Sequence, residues 1–220
     1  MMRDIRRFGM MMALVVAVAL SALGQQMTDP TESVCAMSQR LTAYKATIRM
    51  TQHQARSDSV IEFTFDFVPP DRMRIAYTAP ATVEGQLMIL NADRFYTYIP
   101  SLNRSVWQNV GEGSSNQGEE MGFLYDFVTQ SAAGALEQAN VQVAENRETF
   151  VLEGTDETLD VDVLTLVTDE ERQVVLLNVL DAAPVAIEIF RDGDLVMEIR
   201  VLDYEVSGAF DEAWFAIPEK

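Results

Sequence analysis

Residues 70–100, PDRMRIAYTAPATVEGQLMILNADRFYTYIP, constrain the fold more than any other part of the chain. Short strands at 72–77, 86–90 and 95–99 sit between prolines, and Asn91-Ala92-Asp93 makes a tight turn between the last two. Connections this short exclude the long crossover of a parallel βαβ unit, so the sheet must be antiparallel. The stretch carries almost no catalytic side chains, which points to a surface that holds something rather than one that reacts.

The flanking sequence extends the sheet. Ile61, Phe63, Phe65 and Phe67 alternate with Glu62, Thr64 and Asp66, the pattern of a strand with one wet face. A shorter, less regular strand is expected over 45–54. Later strands are expected at 141–145, 149–153, 158–166, 174–179, 185–191 and 195–204, with Asp192-Gly193 joining the last pair. Two segments read as helical. Asp29, Pro30 and Glu32 give an N-cap, an N1 proline and a capping-box acid, and Val34, Met37, Leu41 and Tyr44 repeat at helical spacing, predicting a helix over 30–43. After a glycine- and serine-rich loop at 111–118, Met121, Leu124, Tyr125 and Val128 fall on one helical face with Phe123 and Phe127 beside it. A second short helix is expected over 132–139. The expected class is mainly β with minor α: a single curved antiparallel sheet, an incomplete β-barrel of about ten or eleven strands, covered on its concave side by the N-terminal helix and a mid-chain helical lid.

The first 24 residues read as an export signal. Arg3, Arg6 and Arg7 precede an apolar run at 10–20, and Ala22-Leu23-Gly24 supplies the small residues of a cleavage site. Residues 25–220 then form a single domain, periplasmic, or secreted where the host has no outer membrane. Removing three arginines and one aspartate takes the net charge from −18 to −20, and Lys45 and Lys220 are the lysines of the whole chain. Such a surface repels nucleic acid and anionic headgroups and argues for a monomer. It also suits a protein that works in high salt. Cys35 is the sole cysteine, so no internal disulfide forms, and it reads as a small apolar residue on a helix flank.

An enzyme reading lacks parts. His53 is the one histidine, placed in a polar strand over 51–57 and reading as a surface residue, with Cys35 on a different element. Glu157, Asp160 and Asp162 lack the glycine and terminal glutamate of a calcium loop, so no metal, cofactor or catalytic residue is expected. Apolar surface is what remains: Phe63, Phe65, Phe67, Met73, Ile75, Tyr77, Met88 and Leu90, joined later by Ile187, Ile189, Met197, Ile199 and Val201. As ordinary core these residues pack on the helices. Alternatively, two small helices leave a curved sheet unfilled, and the concavity is a lipophilic pocket with Met121, Phe123, Leu124 and Phe127 on its lid.

At these residues the chain resembles the periplasmic lipoprotein carriers of the LolA-like family, with its LolA, LolB and RseB types. The resemblance runs through Pro70, Met73-Arg74-Ile75-Ala76-Tyr77, Pro80, Asn91-Ala92-Asp93 and Tyr98-Ile99-Pro100, then Ala183-Pro184, Asp192-Gly193, Asp203-Tyr204 and Phe215-Ala216-Ile217-Pro218. It implies a non-enzymatic carrier that takes up acyl chains of lipoproteins or other lipids and hands them on between membrane-bound donor and acceptor proteins. Its alternative is a lipid- or envelope-stress-sensing interaction module of the same fold, although such sensors usually carry a second domain, for which the 196 residues of 25–220 leave little room. The better-known carriers have an arginine before the first proline that closes the lid; here that position is Pro69, so this gating device does not carry over.

Overall fold

The computed structural model describes residues 43–68, 72–92, 94–109, 140–143, 147–167, 171–206 and 210–219. The helices expected over 30–43 (all but Ala43, which is not helical), 121–128 and 132–139, with Cys35, Pro69 and the lid residues Met121, Phe123, Leu124 and Phe127, lie outside them. Among the described residues the helical pieces are two short 3₁₀ turns, Pro100–Leu102 and Glu212–Phe215.

The strands are β1 (Tyr44–Gln52), β2 (Ser59–Val68), β3 (Arg72–Ala79), β4 (Leu87–Asn91), β5 (Arg94–Ile99), β6 (Arg104–Asn109), β7 (Asn140–Val143), β8 (Glu148–Val151), β9 (Thr158–Val167), β10 (Arg172–Asn178), β11 (Pro184–Arg191) and β12 (Asp194–Val206). They form one open antiparallel sheet in the order β6-β5-β4-β3-β2-β1-β12-β11-β10-β9-β7, with β8 pairing β9 beside β7. Two meanders therefore meet at the β1–β12 pair. β6 is the strand the sequence reading did not resolve.

The expected turns form where their chemistry requires. Asp192 and Gly193 take φ of 54° and 91°, the two positive values of the tightest hairpin turn. Ala92 is also left-handed, at φ 53°, between β4 and β5. Two expectations are corrected near the centre. β1 is a regular nine-residue strand starting at Tyr44 and paired on both sides, because Tyr44, Ala46, Ile48 and Met50 alternate with Lys45, Thr47 and Arg49. Tyr44 thus belongs to the sheet and not to a helical repeat. His53 lies just past β1, in the connection to β2 and not in a strand.

The sheet is strongly coiled. Arg49 on β1 pairs with Glu153 in the β8–β9 turn, and the Arg200 guanidinium on β12 lies 5.6 Å from the Phe150 ring centroid on β8. Along the strand order β1 and β8 are five steps apart. A flat sheet would separate them by about 24 Å at ~4.8 Å per strand. The β8–β9 hairpin therefore folds back across one face of the sheet, burying Leu152, Leu159 and Val161. The same face carries Arg49, Glu62, Glu188, Glu198 and Arg200, linked by pairs such as Arg49–Glu62 and Arg200–Glu188 at 2.8 Å and 2.7 Å.

Candidate functional site

Strand pairing sorts the side chains onto two faces with different chemistry. On the front, register sets Ile48 beside Phe63 and Val201, Phe63 beside Tyr77, Phe65 beside Ile75, and Met73 beside Leu90. The front row continues through Ile199 to Ile187 and Val175, and through Met197 to Ile189. All eleven residues singled out from the sequence as cavity candidates, Phe63, Phe65, Phe67, Met73, Ile75, Tyr77, Met88, Leu90, Ile189, Met197 and Ile199, share this face and one buried apolar cluster. None is more than 7% exposed.

The sequence reading missed the centre of that face. Tyr44, Ala46, Ile48 and Met50 on β1, with Phe95, Leu164 and Val175 further out, belong to the same cluster. The period-two alternation of β1 was the signal that would have found the first four. Phe65 stacks on Phe67 at 6.2 Å, Phe63 meets Tyr77 at 5.7 Å, and Tyr44 meets Phe65 at 6.1 Å. These contacts are non-directional, and with four methionines beside them they give a surface that can repack around ligands of different shape.

Polar groups on the front are few. The Tyr44 hydroxyl donates to the Pro184 carbonyl at 2.8 Å, and burial pushes its pKa well above the ordinary range. The Tyr77 hydroxyl lies 3.6 Å from the Met88 sulfur, and burial pushes it up to about 12. At one end of the face Gln173 is followed by a Glu171–Arg191 ion pair at 3.1 Å.

The back face of β2–β6 carries a C-terminal strap, residues 210–219. Phe215 is fully buried against Ile89 and Tyr96, with Val68, Leu87, Tyr98, Trp107, Phe210 and Ile217 around them. Trp214 Nε1 donates to Asp66 Oδ2 at 2.7 Å and the indole lies 4.2 Å from the Arg74 guanidinium. Asn91 Nδ2 donates to the Phe215 carbonyl and Trp107 Nε1 to the Pro218 carbonyl, at 3.0 Å and 2.9 Å.

The remaining polar candidates do not gather. His53 Nδ1 is 3.3 Å from Asp58 Oδ2. Asp162 is paired with Arg147 at 3.1 Å, and Asp160 is exposed. Among the described residues no three His, Cys, Asp or Glu side chains are placed to hold a metal ion.

No protein-family model and no curated protein matches this sequence. Solved structures do. An uncharacterized conserved protein from Thermus thermophilus superimposes with a TM-score of 0.57 at 12% identity, covering 85% of this chain and 95% of that one. MucB in its complex with MucA, from Pseudomonas aeruginosa, superimposes with a TM-score of 0.52 at 11% identity, covering 83% of this chain and 60% of that one. The chain shares the fold of these two structures. A LolA superfamily protein from Nitrosomonas europaea also aligns over 80% of this chain and 91% of that one, at 11% identity and a TM-score of 0.39.

Proposed function

We propose that the chain is an exported, non-enzymatic carrier that holds acyl chains of lipoproteins or other lipids on the front face of its sheet and passes them on. The observation that carries this reading is the continuity of the front face, apolar in unbroken rows from β5 through β1 to β10. A 16-carbon acyl chain taken from water gains on the order of 12 kcal/mol, at roughly 0.8 kcal/mol per methylene. The cavity is assigned to Phe63, Phe65, Phe67, Met73, Ile75, Tyr77, Met88, Leu90, Ile189, Met197 and Ile199, and the lid to the segment containing Met121, Phe123, Leu124 and Phe127. Cleavage after Gly24 and action in the periplasm, by one domain over 25–220, complete the proposal.

The likeness to MucB, solved in complex with MucA, supports a second reading, in which the same face serves a sensor that signals through a protein partner. Native mass spectrometry of protein isolated from its own host separates the readings. Bound lipid supports the carrier, and a stoichiometric protein complex supports the sensor. Lipid-free protein that takes up no fluorescent fatty acid refutes both and leaves a filled structural core.

A further inference from the structure

We propose that the Gln173 side-chain amide anchors the polar head of an acyl lipid, accepting a hydrogen bond from an amide N–H or hydroxyl where tail meets head. The inference rests on the acyl-binding reading of the front face. Along β10 the front row runs Leu177, Val175, Gln173, with Glu171 just before the strand; along β11 it runs Val185, Ile187, Ile189, Arg191. Two neighbouring strands thus turn from aliphatic to polar at the same level. That is the order of groups in an amphiphile lying along them.

Gln173 is 8% exposed. Its Nε2 donates to Glu171 Oε1, and Arg191 donates from Nε and Nη2 to Glu171 Oε2 at 3.2 Å and 3.1 Å. A carboxylate accepts only, so it takes the NH₂ end of the amide; a flipped amide would set oxygen against oxygen. The arginine thereby fixes Glu171, Glu171 fixes the amide, and the amide oxygen is turned away from the ion pair. That oxygen is buried and has no hydrogen-bond partner. A buried acceptor without a donor is destabilising, and such exceptions call for a missing partner. A ligand that presents only acceptors leaves the oxygen unmatched, whereas one with an N–H or O–H satisfies it. The favoured class is therefore an amide-linked or hydroxyl-bearing acyl lipid, its tail over Val175 and Ile187 and its head at the Glu171–Arg191 rim.

The test is displacement of a dansylated fatty acid by two near-isosteric competitors, N-methylhexadecanamide, with one N–H, and methyl hexadecanoate, with none. Water solvates the amide better, so without a partner in the site the ester binds more tightly. The expected result is a preference of wild-type protein for the amide by about five- to tenfold, the worth of one buried hydrogen bond. Gln173→Leu abolishes that preference and leaves ester binding within about twofold. Equal or ester-favouring displacement from wild type overturns the anchor while the carrier reading stands, and needs no variant to fold. An amide preference that survives Gln173→Leu also overturns it. Failure of the reporter itself to bind removes the acyl-binding reading, and the anchor with it.

Discussion

Tyr77 offers a direct measure of how thoroughly the front face is closed to water. Its hydroxyl has a thioether as partner, a weak acceptor, and burial raises it from an ordinary 10 to about 12. The sign follows from linkage. The unfolded chain ionises this phenol from about pH 10, whereas the folded chain holds it neutral until about 12. Stability from this group is therefore complete below pH 10 and is lost as pH rises toward 12. Two pKa units correspond to about 3 kcal/mol at the high-pH limit, and to roughly half of that near pH 11. Tyr77→Phe removes the titration and little else, costing about 1 kcal/mol or less near pH 8 because a weak hydrogen bond is lost. Tyr44 shifts in the same direction but is present in both proteins, so it cancels in the difference. The assay is urea unfolding of both proteins at about pH 8 and about pH 11, with the variant gaining on the order of 1 kcal/mol relative to wild type between the two. A difference unchanged by pH would mean that the hydroxyl meets water, and the argument for a closed front face would fail.

Other perturbations separate the two faces. Trp214→Phe deletes a hydrogen bond to the buried Asp66 carboxylate and should cost about 1.5–3 kcal/mol in urea unfolding, with fatty-acid uptake unchanged. Ala92→Gly relieves a left-handed alanine at φ 53° and should raise stability by about 1 kcal/mol, read as a higher urea midpoint at constant slope. Glu153→Gln breaks a pair with Arg49 whose side chains are 36% and 39% exposed, so it should change stability by less than about 1 kcal/mol and less still in high salt. Phe150→Ala, in the hairpin that folds over Arg200, should cost more than Glu153→Gln, since packing rather than charge holds it.

What the sequence disclosed was set by how local the cause is. Asp192-Gly193 forms its hairpin because two adjacent residues accept positive φ, and Phe63, Phe65 and Phe67 share a face because side chains in a strand alternate. Both were legible. The β1–β12 pair was not, since it joins residues 44–52 to 194–206 and no local rule specifies that partner. Tyr44 fitted a helical repeat with Leu41 and a strand repeat with Ala46 equally well, and only long-range pairing decides between them. The strap escaped notice because Asp66 reads as the wet side of an alternating strand, yet it is 1% exposed beneath Trp214. Gln173, Glu171 and Arg191 are ordinary polar residues in sequence; register alone brings them together.

The division between the faces bears on how such a protein could release a ligand and remain folded. If the apolar front contributed all the stability, opening its buried cluster to admit or release an acyl chain would cost the fold much of its margin, which for a single domain is about 5–15 kcal/mol. The back face supplies independent support: Phe215 is buried there, the Asp66–Arg74–Trp214 contacts tie the strap to β2 and β3, and the β8–β9 hairpin is clasped by Arg49 and Arg200. The strap forms a cluster separate from the front-face rows, so emptying the front leaves it intact, whereas Leu152, Leu159 and Val161 of the hairpin belong to the front cluster. Front-face truncation such as Phe65→Ala should then alter ligand uptake and stability together, whereas back-face changes such as Trp214→Phe lower stability alone. Coupled loss of both properties from the back-face change would show that the sheet does not separate its two tasks.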